Sequence, residues 1–122
     1  MTYMLDTNIC IYAIKNKPEQ VLKQLHAHLD DGICISSITL AELAHGVRKS
    51  LYPEKNDEAL LQFLSILDIL EFNDLAAMEY GRICAYLQRQ GTPIGTMDML
   101  IAAHAKSEDL VLVTNNLREF ER

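Results

Sequence analysis

Acidic residues at three positions of this 122-residue chain have neighbours that do not suit a solvated charge. Asp6 directly follows the apolar run Tyr3-Met4-Leu5. Glu42 lies in a largely apolar stretch with helical spacing, and Asp98 stands near the start of the most apolar predicted helix. An amide, Asn116, follows the last apolar run. Acids in apolar surroundings are candidates for a functional site, because such surroundings perturb pKa values.

The ligand type of these side chains indicates the chemistry that they could support. Carboxylate and amide oxygens, with no Cys and no designated pair of His, select a hard cation, Mg²⁺ or Mn²⁺, over zinc. Such an ion binds phosphate, activates water and neutralises charge on a phosphodiester during hydrolysis. Glu119, close after Asn116, is a further candidate ligand.

Each candidate also has a purely structural interpretation. Asp6 suits a helix N-cap, and Thr39 with Glu42 matches the capping-box pattern S/T-x-x-E. Asp98 suits the first turn of a helix, where the dipole favours an acid, and Asn116 suits a turn. Taken singly, these interpretations are at least as good as the functional one. Taken together, the four positions favour a functional site, because all of them are predicted to lie at the same end of a sheet whose strands alternate with helices.

The order of the elements predicts the fold class. Apolar runs indicate strands at Tyr3–Leu5, at Ile33–Ser36, within Ile66–Phe72 and at Leu110–Val113. Helical spacing indicates helices over Ile9–Ile14, Glu19–Leu29, from Thr39, about Glu54–Ile66, from a cap at Asn73 or Asp74, and over Met97–Ala105. Strands that alternate with helices favour parallel β-α units. We therefore expect an α/β fold, a three-layer α/β/α sandwich with a mostly parallel central sheet, in a single domain over residues 1–122.

Composition indicates the cellular compartment and limits the classes of partner that the protein can bind. The cysteines, Cys10, Cys34 and Cys84, are odd in number and widely spaced, which is typical of reduced core residues in a cytoplasmic protein. No apolar run approaches the length of a membrane span. The net charge of −6 argues against nucleic-acid binding through overall basicity, although acids gathered in one cleft can dominate this total.

Competing motifs are weaker. Glu42-x-x-His45 is half of a di-iron site whose second half is missing from the sequence. His104, four positions before Glu108 on a helix, suits a hydrogen-bonded structural histidine. The sequence has no glycine-rich phosphate loop.

With these residues in view, the chain resembles a known family. Four blocks resemble, in order, the signature blocks of PIN-domain ribonucleases, and especially the VapC toxins of bacterial VapBC toxin–antitoxin pairs: residues 4–8, 37–46, 93–105 and 112–120. The similarity spans nearly the whole chain. The block-by-block match is what makes it specific.

The resemblance implies a toxin that is an Mg²⁺- or Mn²⁺-dependent endoribonuclease. It also implies a homodimer that a VapB-type antitoxin inhibits, in a higher toxin–antitoxin assembly, and structured RNA as the substrate, chiefly tRNA and in particular initiator tRNA. Asp6, Glu42 and Asp98 match the three acids of the family site. Thr7 and Thr114 match hydroxyl positions that flank it.

The chain departs from the family at one position of the site. Asn116 stands where many PIN domains have a fourth Asp, and an amide can coordinate a hard cation but adds no negative charge. Glu119 is the candidate that could supply the missing carboxylate. We expect hydrolysis to leave a 3′-hydroxyl and a 5′-phosphate. The candidate RNA-binding residues are basic: Lys15, Lys17, Arg48, Lys49 and Arg89.

Two alternatives stay open at this point. One is a non-catalytic PIN-like module that binds RNA or a protein, against which the complete acid triad counts. The other is a nuclease that acts on DNA.

Overall fold

The computed structural model describes residues 3–15, 23, 25, 27, 29–92 and 94–114. In chain order, the described elements are β1 (Tyr3–Leu5), α1 (Thr7–Lys15), a 3-10 turn (Leu29–Asp31), β2 (Ile33–Ser36), α2 (Ser37–Arg48), α3 (Pro53–Leu64), β3 (Asp68–Leu70), α4 (Asp74–Gln90), α5 (Thr96–Ser107) and β4 (Val111–Val113). Among these residues, no helix is long and apolar enough to cross a membrane.

The described strands form one parallel sheet in the order β3-β2-β1-β4. The register places Met4 of β1 beside Cys34 of β2 on one side and Leu112 of β4 on the other. In a parallel sheet the carboxyl ends of all strands lie at one edge. The residues that follow β1, β2 and β4 therefore share that edge, as the sequence predicted for an α/β fold.

Alternation along the strands divides the core between the two faces of the sheet. Leu5, Ile33 and Ile35 point to one face, where they pack with apolar residues of α1, α2 and α3. Met4 and Cys34 point to the other face and pack with α5 through Ile101 and Ala105. The helix α4 packs on α5. This arrangement is the predicted α/β/α sandwich.

Local signals explain where the long helices begin and end. The side chain of Asn73 accepts a 3.1 Å hydrogen bond from the Ala76 N–H and so caps α4. That helix stops at Gly91, whose φ of 70° lies in the left-handed region. Pro53 occupies the first turn of α3, where its missing N–H costs nothing.

Several predicted helix boundaries differ from the observed ones by one or two residues, and one prediction cannot be compared. The helix predicted from Thr39 begins at Ser37, because Ser36 is the cap. The helix predicted over Glu54–Ile66 runs instead over Pro53–Leu64. Most of the helix predicted over Glu19–Leu29 lies outside the described residues.

Candidate active site

Asp6 lies at the carboxyl end of β1, where it is 1% exposed. Its Oδ1 accepts a 2.8 Å hydrogen bond from the Ile9 N–H, so Asp6 caps α1. Its Oδ2 accepts a hydrogen bond from the hydroxyl of Thr114, the residue that follows β4. The capping interpretation is thus confirmed, but capping uses only one of the two oxygens. A carboxylate has about four lone-pair sites, and the donors to Asp6 are Ile9, Asn8 and Thr114, so the group keeps acceptor capacity for a cation.

Burial raises the pKa of Asp6 above its usual value, and the hydrogen bonds from Thr114, Ile9 and Asn8 offset only part of this effect. Within the described part of the chain, no Lys or Arg side chain pairs with Asp6. A buried carboxylate without a cationic partner is costly in its ionised form. A bound cation would remove this cost, so the environment of Asp6 favours a cation beside it.

Glu42 reaches the same edge of the sheet from the second turn of α2. The Thr7 hydroxyl donates a 2.6 Å hydrogen bond to its Oε1. The capping-box interpretation of Thr39 and Glu42 was wrong, because Ser36 caps the helix through a 3.1 Å bond from the Ile38 N–H. Thr39 is instead fully buried, with its hydroxyl oxygen 3.4 Å from that of Thr7.

Asp98 approaches from α5, as the third residue of that helix. Because α5 leads directly into β4, it runs antiparallel to the strands, and its N-terminus lies at their carboxyl edge. The side chain is half-buried. A Cβ placed on Gly95 would lie 3.6 Å from Asp98 Oδ2, so the carboxylate lies against the residue that precedes the helix. A first-turn position also fits the helix-dipole interpretation.

The donor chemistry of these acids fits a hard divalent cation. Asp6 and Glu42 offer carboxylate oxygens and are linked through Thr7, which follows Asp6 and binds Glu42. Over residues 3–15, 29–92 and 94–114, however, no three His, Cys, Asp or Glu side chains are grouped closely enough to hold one ion. Like charges keep apart unless a cation compensates them. Asn116 and Glu119 lie outside the described residues.

A groove of about 310 Å³ adjoins the acid site between α1, α2 and α3. Glu42 and Lys15 line it together with mainly apolar side chains: Ile11, Ile14, Leu43, Val47 and Leu60. Of the predicted RNA-binding residues, Lys15 is therefore brought near an acid. Arg48 is exposed at the end of α2, about 9 Å beyond Glu42 along the helix axis.

Two other predicted RNA-binding residues, Lys49 and Arg89, do not line this groove. Lys49 follows α2, and Arg89 is exposed near the end of α4. Lys17 lies outside the described residues.

Sequence reasoning missed one polar residue beneath the site. Ser36 is fully buried, and its Oγ lies 2.7 Å from Nδ1 of His104, which is also fully buried. The predicted hydrogen bonding of His104 is confirmed, since its Nε2 also lies 3.1 Å from Glu108 Oε2. A hydroxyl at the end of a buried strand, just before a helix, was the available signal for Ser36.

Known proteins resemble the chain over its whole length. It is 51% identical to the tRNA(fMet)-specific endonuclease VapC of Salmonella typhimurium and 51% identical to the ribonuclease VapC2 of Haemophilus influenzae strain Rd. Each alignment covers 100% of this chain and 92% of the relative.

Solved structures give the same result for the fold. The chain superposes with a TM-score of 0.95 and 46% identity on a crystal structure of VapBC2 from Rickettsia felis bound to a DNA fragment from its promoter. The TM-score is 0.93, with 51% identity, for DNA-bound VapBC from Salmonella typhimurium. Both superpositions cover 100% of this chain and 92% of the matched chain.

The sequence pattern that defines the PIN-domain family matches residues 3–122. Together with full-length relatives at about half identity and the parallel sheet that carries Asp6, this match identifies the family. The chain belongs to the PIN-domain family and, within it, to the VapC ribonucleases.

Proposed function

We propose that this protein is the toxin of a VapBC toxin–antitoxin pair and a metal-dependent endoribonuclease that hydrolyses tRNA. The observation that carries the proposal is the connected group of Asp6, Thr7 and Glu42 at the carboxyl edge of the sheet. A fully buried acid whose next residue binds a second acid is an expensive arrangement for a structural role alone. It suits a site that binds a cation.

Asp6, Glu42 and Asp98 hold the metal ion in this proposal, with Asn116 and Glu119 as assisting ligands. PIN-domain nucleases generally depend on a divalent metal, and the hard oxygen donors favour Mg²⁺, with Mn²⁺ as a substitute. When bound, the ion activates water and neutralises the charge that develops on the phosphodiester.

The protein's own groups orient the acids. The Ile9 N–H and the Thr114 hydroxyl each hold one oxygen of Asp6. The Thr7 hydroxyl holds Oε1 of Glu42. These neutral donors fix the carboxylates without adding a competing positive charge, so the negative charge stays available to a cation.

Initiator tRNA is the proposed substrate. The relatives from Salmonella typhimurium and Shigella flexneri, at 51% and 50% identity, are named tRNA(fMet)-specific endonucleases. Because the net charge is −6, local basic side chains, rather than the protein surface as a whole, must contact the phosphate backbone of the RNA. Lys15, beside Glu42 in the groove, is the first candidate, and Arg48 is the second.

The partners in this proposal are a second copy of the chain and a VapB-type antitoxin. The groove beside Glu42 is the proposed seat of an antitoxin segment, because its walls are apolar and it leads to an acid of the site. Gly46 lines this groove, and a Cβ there would meet no atom within 4 Å. Gly46→Met should therefore fill the groove and weaken antitoxin binding, whereas Gly81→Met, on another open helix face, should not.

The proposed setting is the cytoplasm, and the proposed unit is one domain over the whole chain. Cys10, Cys34 and Cys84 are all free thiols, which suits a reducing compartment. Cys10 and Cys34 are buried, and burial raises the pKa of Cys34 to about 11, so its thiol is unreactive.

Incubation of the purified protein with total tRNA and Mg²⁺ or Mn²⁺ tests the function. Discrete cleavage should require the metal, stop with EDTA and disappear in Asp98→Asn. Asp74→Asn is the matched control, because Asp74 is also a first-turn acid but belongs to α4. If Asp98→Asn cleaves like the wild type, catalysis by these acids is wrong and a binding module becomes the better explanation.

Two further measurements refine the result. The products should carry 3′-hydroxyl and 5′-phosphate ends, and 2′,3′-cyclic phosphates would rule out this hydrolysis. Initiator tRNA should be cut in preference to elongator methionine tRNA at equal concentration, and single-stranded DNA of the same sequence should stay intact.

A further inference from the structure

His104 connects the two helices that carry Glu42 and Asp98. It belongs to α5, the helix that begins with Asp98 in its first turn. Its Nδ1 lies 2.7 Å from Oγ of Ser36, which is the N-cap of α2, the helix of Glu42. Both His104 and Ser36 are fully buried. One buried hydrogen bond therefore joins the two acid-bearing helices directly.

For a neutral His104 ring, the partners determine the direction of each hydrogen bond. Nε2 lies 3.1 Å from a carboxylate oxygen of Glu108, which can only accept, so Nε2 carries the hydrogen. In the neutral imidazole, Nδ1 is then an acceptor and takes the hydroxyl hydrogen of Ser36. The Ser36 oxygen in turn accepts from the Ile38 N–H at 3.1 Å. Each polar side-chain atom of the buried residues His104 and Ser36 therefore has a partner.

The buried ring of His104 also packs against Phe72. The rings of Phe72 and His104 meet edge to face, with centroids 5.5 Å apart and planes at 82°. The Phe72 N–H donates a 3.0 Å hydrogen bond to Oγ of Ser37, the first residue of α2. Phe72, two residues after the end of β3, thus contacts both the ring and the start of the helix that Ser36 caps.

We propose that His104 is a positioning residue for the acid site, because its bond to Ser36 sets the start of α2 relative to α5. This inference rests on the proposed function, in which Glu42 and Asp98 hold the same ion. Metal ligands must keep their distances to within a few tenths of an ångström. A helix that shifts by a fraction of an ångström at its cap therefore changes the affinity of the site for the ion.

A merely structural histidine would behave differently. Its loss would lower the stability of the protein, but the fraction that stays folded would bind the ion as before. A positioning residue changes the affinity of the folded protein as well. The two roles are thus separated by measuring metal binding and unfolding on the same variants.

Two conservative substitutions each keep one of the two hydrogen bonds of the His104 side chain. The amide of Asn reaches the position of Nδ1, so His104→Asn can still accept from Ser36. The amide of Gln reaches the position of Nε2, so His104→Gln can still donate to Glu108. Ser36→Ala and Glu108→Ala remove the same partners one at a time.

The readouts are Mn²⁺ binding, followed through the electron paramagnetic resonance signal of the free ion, and urea unfolding in EDTA. We expect His104→Gln and Ser36→Ala to bind Mn²⁺ about tenfold more weakly than the wild type, as for other supporting partners of metal ligands. His104→Asn and Glu108→Ala should stay within about threefold. All four variants should lose some stability.

Equal Mn²⁺ affinity in His104→Gln and the wild type would overturn the inference, and so would equal weakening in His104→Asn and His104→Gln. If His104→Gln does not fold, Ser36→Ala decides by the same criterion. A wild type that binds Mn²⁺ no better than Asp6→Asn overturns the proposed function and this inference with it. The inference fails while the proposed function stands if the wild type binds Mn²⁺ more tightly than Asp6→Asn and the substitutions at His104 and Ser36 leave the Mn²⁺ affinity unchanged.

Discussion

Thr7 donates a 2.6 Å hydrogen bond to Oε1 of Glu42, 35 positions further along the chain. Thr7 directly follows the buried Asp6, so this bond joins the carboxyl end of β1 to α2. A hydroxyl–carboxylate bond of this length is charge-assisted and stronger than a neutral one. It brings a second acid to Asp6 through a neutral group, which avoids direct contact between two negative charges.

Thr7→Val should lower the rate of tRNA cleavage about 10- to 100-fold, the usual cost of losing a group that orients a metal ligand. Valine has nearly the same shape but cannot donate to Glu42. Thr7→Ser keeps the hydroxyl and should retain most of the activity. The measurement is the initial cleavage rate at saturating Mg²⁺, and equal rates for Thr7→Val and Thr7→Ser would show that the bond does not matter.

Asp6→Asn should abolish cleavage and yet stabilise the protein at neutral pH without metal. Burial raises the pKa of Asp6 in the folded state, so folding favours the protonated acid. The stability that this preference adds is fully present below the unfolded pKa, near 3.8, and is lost as the pH rises through the folded pKa. At pH 7 the ionised side chain therefore opposes folding. Asparagine avoids this cost.

The geometry allows asparagine at this position. Its amide oxygen can accept from the Ile9 N–H, and its amide nitrogen can donate to the hydroxyl oxygen of Thr114. Urea unfolding in EDTA should give Asp6→Asn a higher midpoint at pH 7, with the advantage shrinking as the pH falls towards 4. A lower midpoint at pH 7 would contradict this explanation.

The case of Asp6 illustrates what local sequence can and cannot predict. The end of an apolar run predicted correctly that a strand stops at Leu5 and a helix follows. Capping and function then looked like competing interpretations. The structure shows that they are compatible, because Oδ1 caps α1 while Oδ2 meets Thr114, 108 positions away. The allocation of the two oxygens depends on a neighbour that no local pattern reveals.

The fold was predictable for a different reason from the site. Alternating strands and helices imply parallel β-α units, and the apolar runs placed every described strand. The strand order β3-β2-β1-β4 was not predicted, because all the strands have a similar apolar character. The link between Ser36 and His104 spans 68 positions and was missed for the same reason. The pattern Thr39-x-x-Glu42 also predicted a capping box, whereas the N-cap of α2 is Ser36.

Mn²⁺ should stabilise the wild type by about 2.7 kcal/mol when its concentration is 100 times the dissociation constant. For a domain of this size that corresponds to a rise in melting temperature of about 10 °C. Asp98→Asn should show little of this rise, and EDTA should reverse it. Thermal unfolding followed by circular dichroism is the measurement. An equal rise in the wild type and Asp98→Asn would place the ion elsewhere.

Two glycines, Gly81 inside α4 and Gly91 directly after it, should respond to alanine in opposite directions. Gly81 lies inside the helix, exposed, with no atom within 4 Å of an added Cβ, so Gly81→Ala should stabilise the protein by about 0.5–1 kcal/mol. Gly91 ends the helix at a φ of 70°, a conformation that costs an L-residue about 1–2 kcal/mol. Gly91→Ala should therefore destabilise it by about that amount. Urea unfolding of the two variants in EDTA gives the comparison, because each serves as the other's control for the added methyl group. Destabilisation of the same size in both would mean that the added methyl, rather than the left-handed backbone at Gly91, sets the cost.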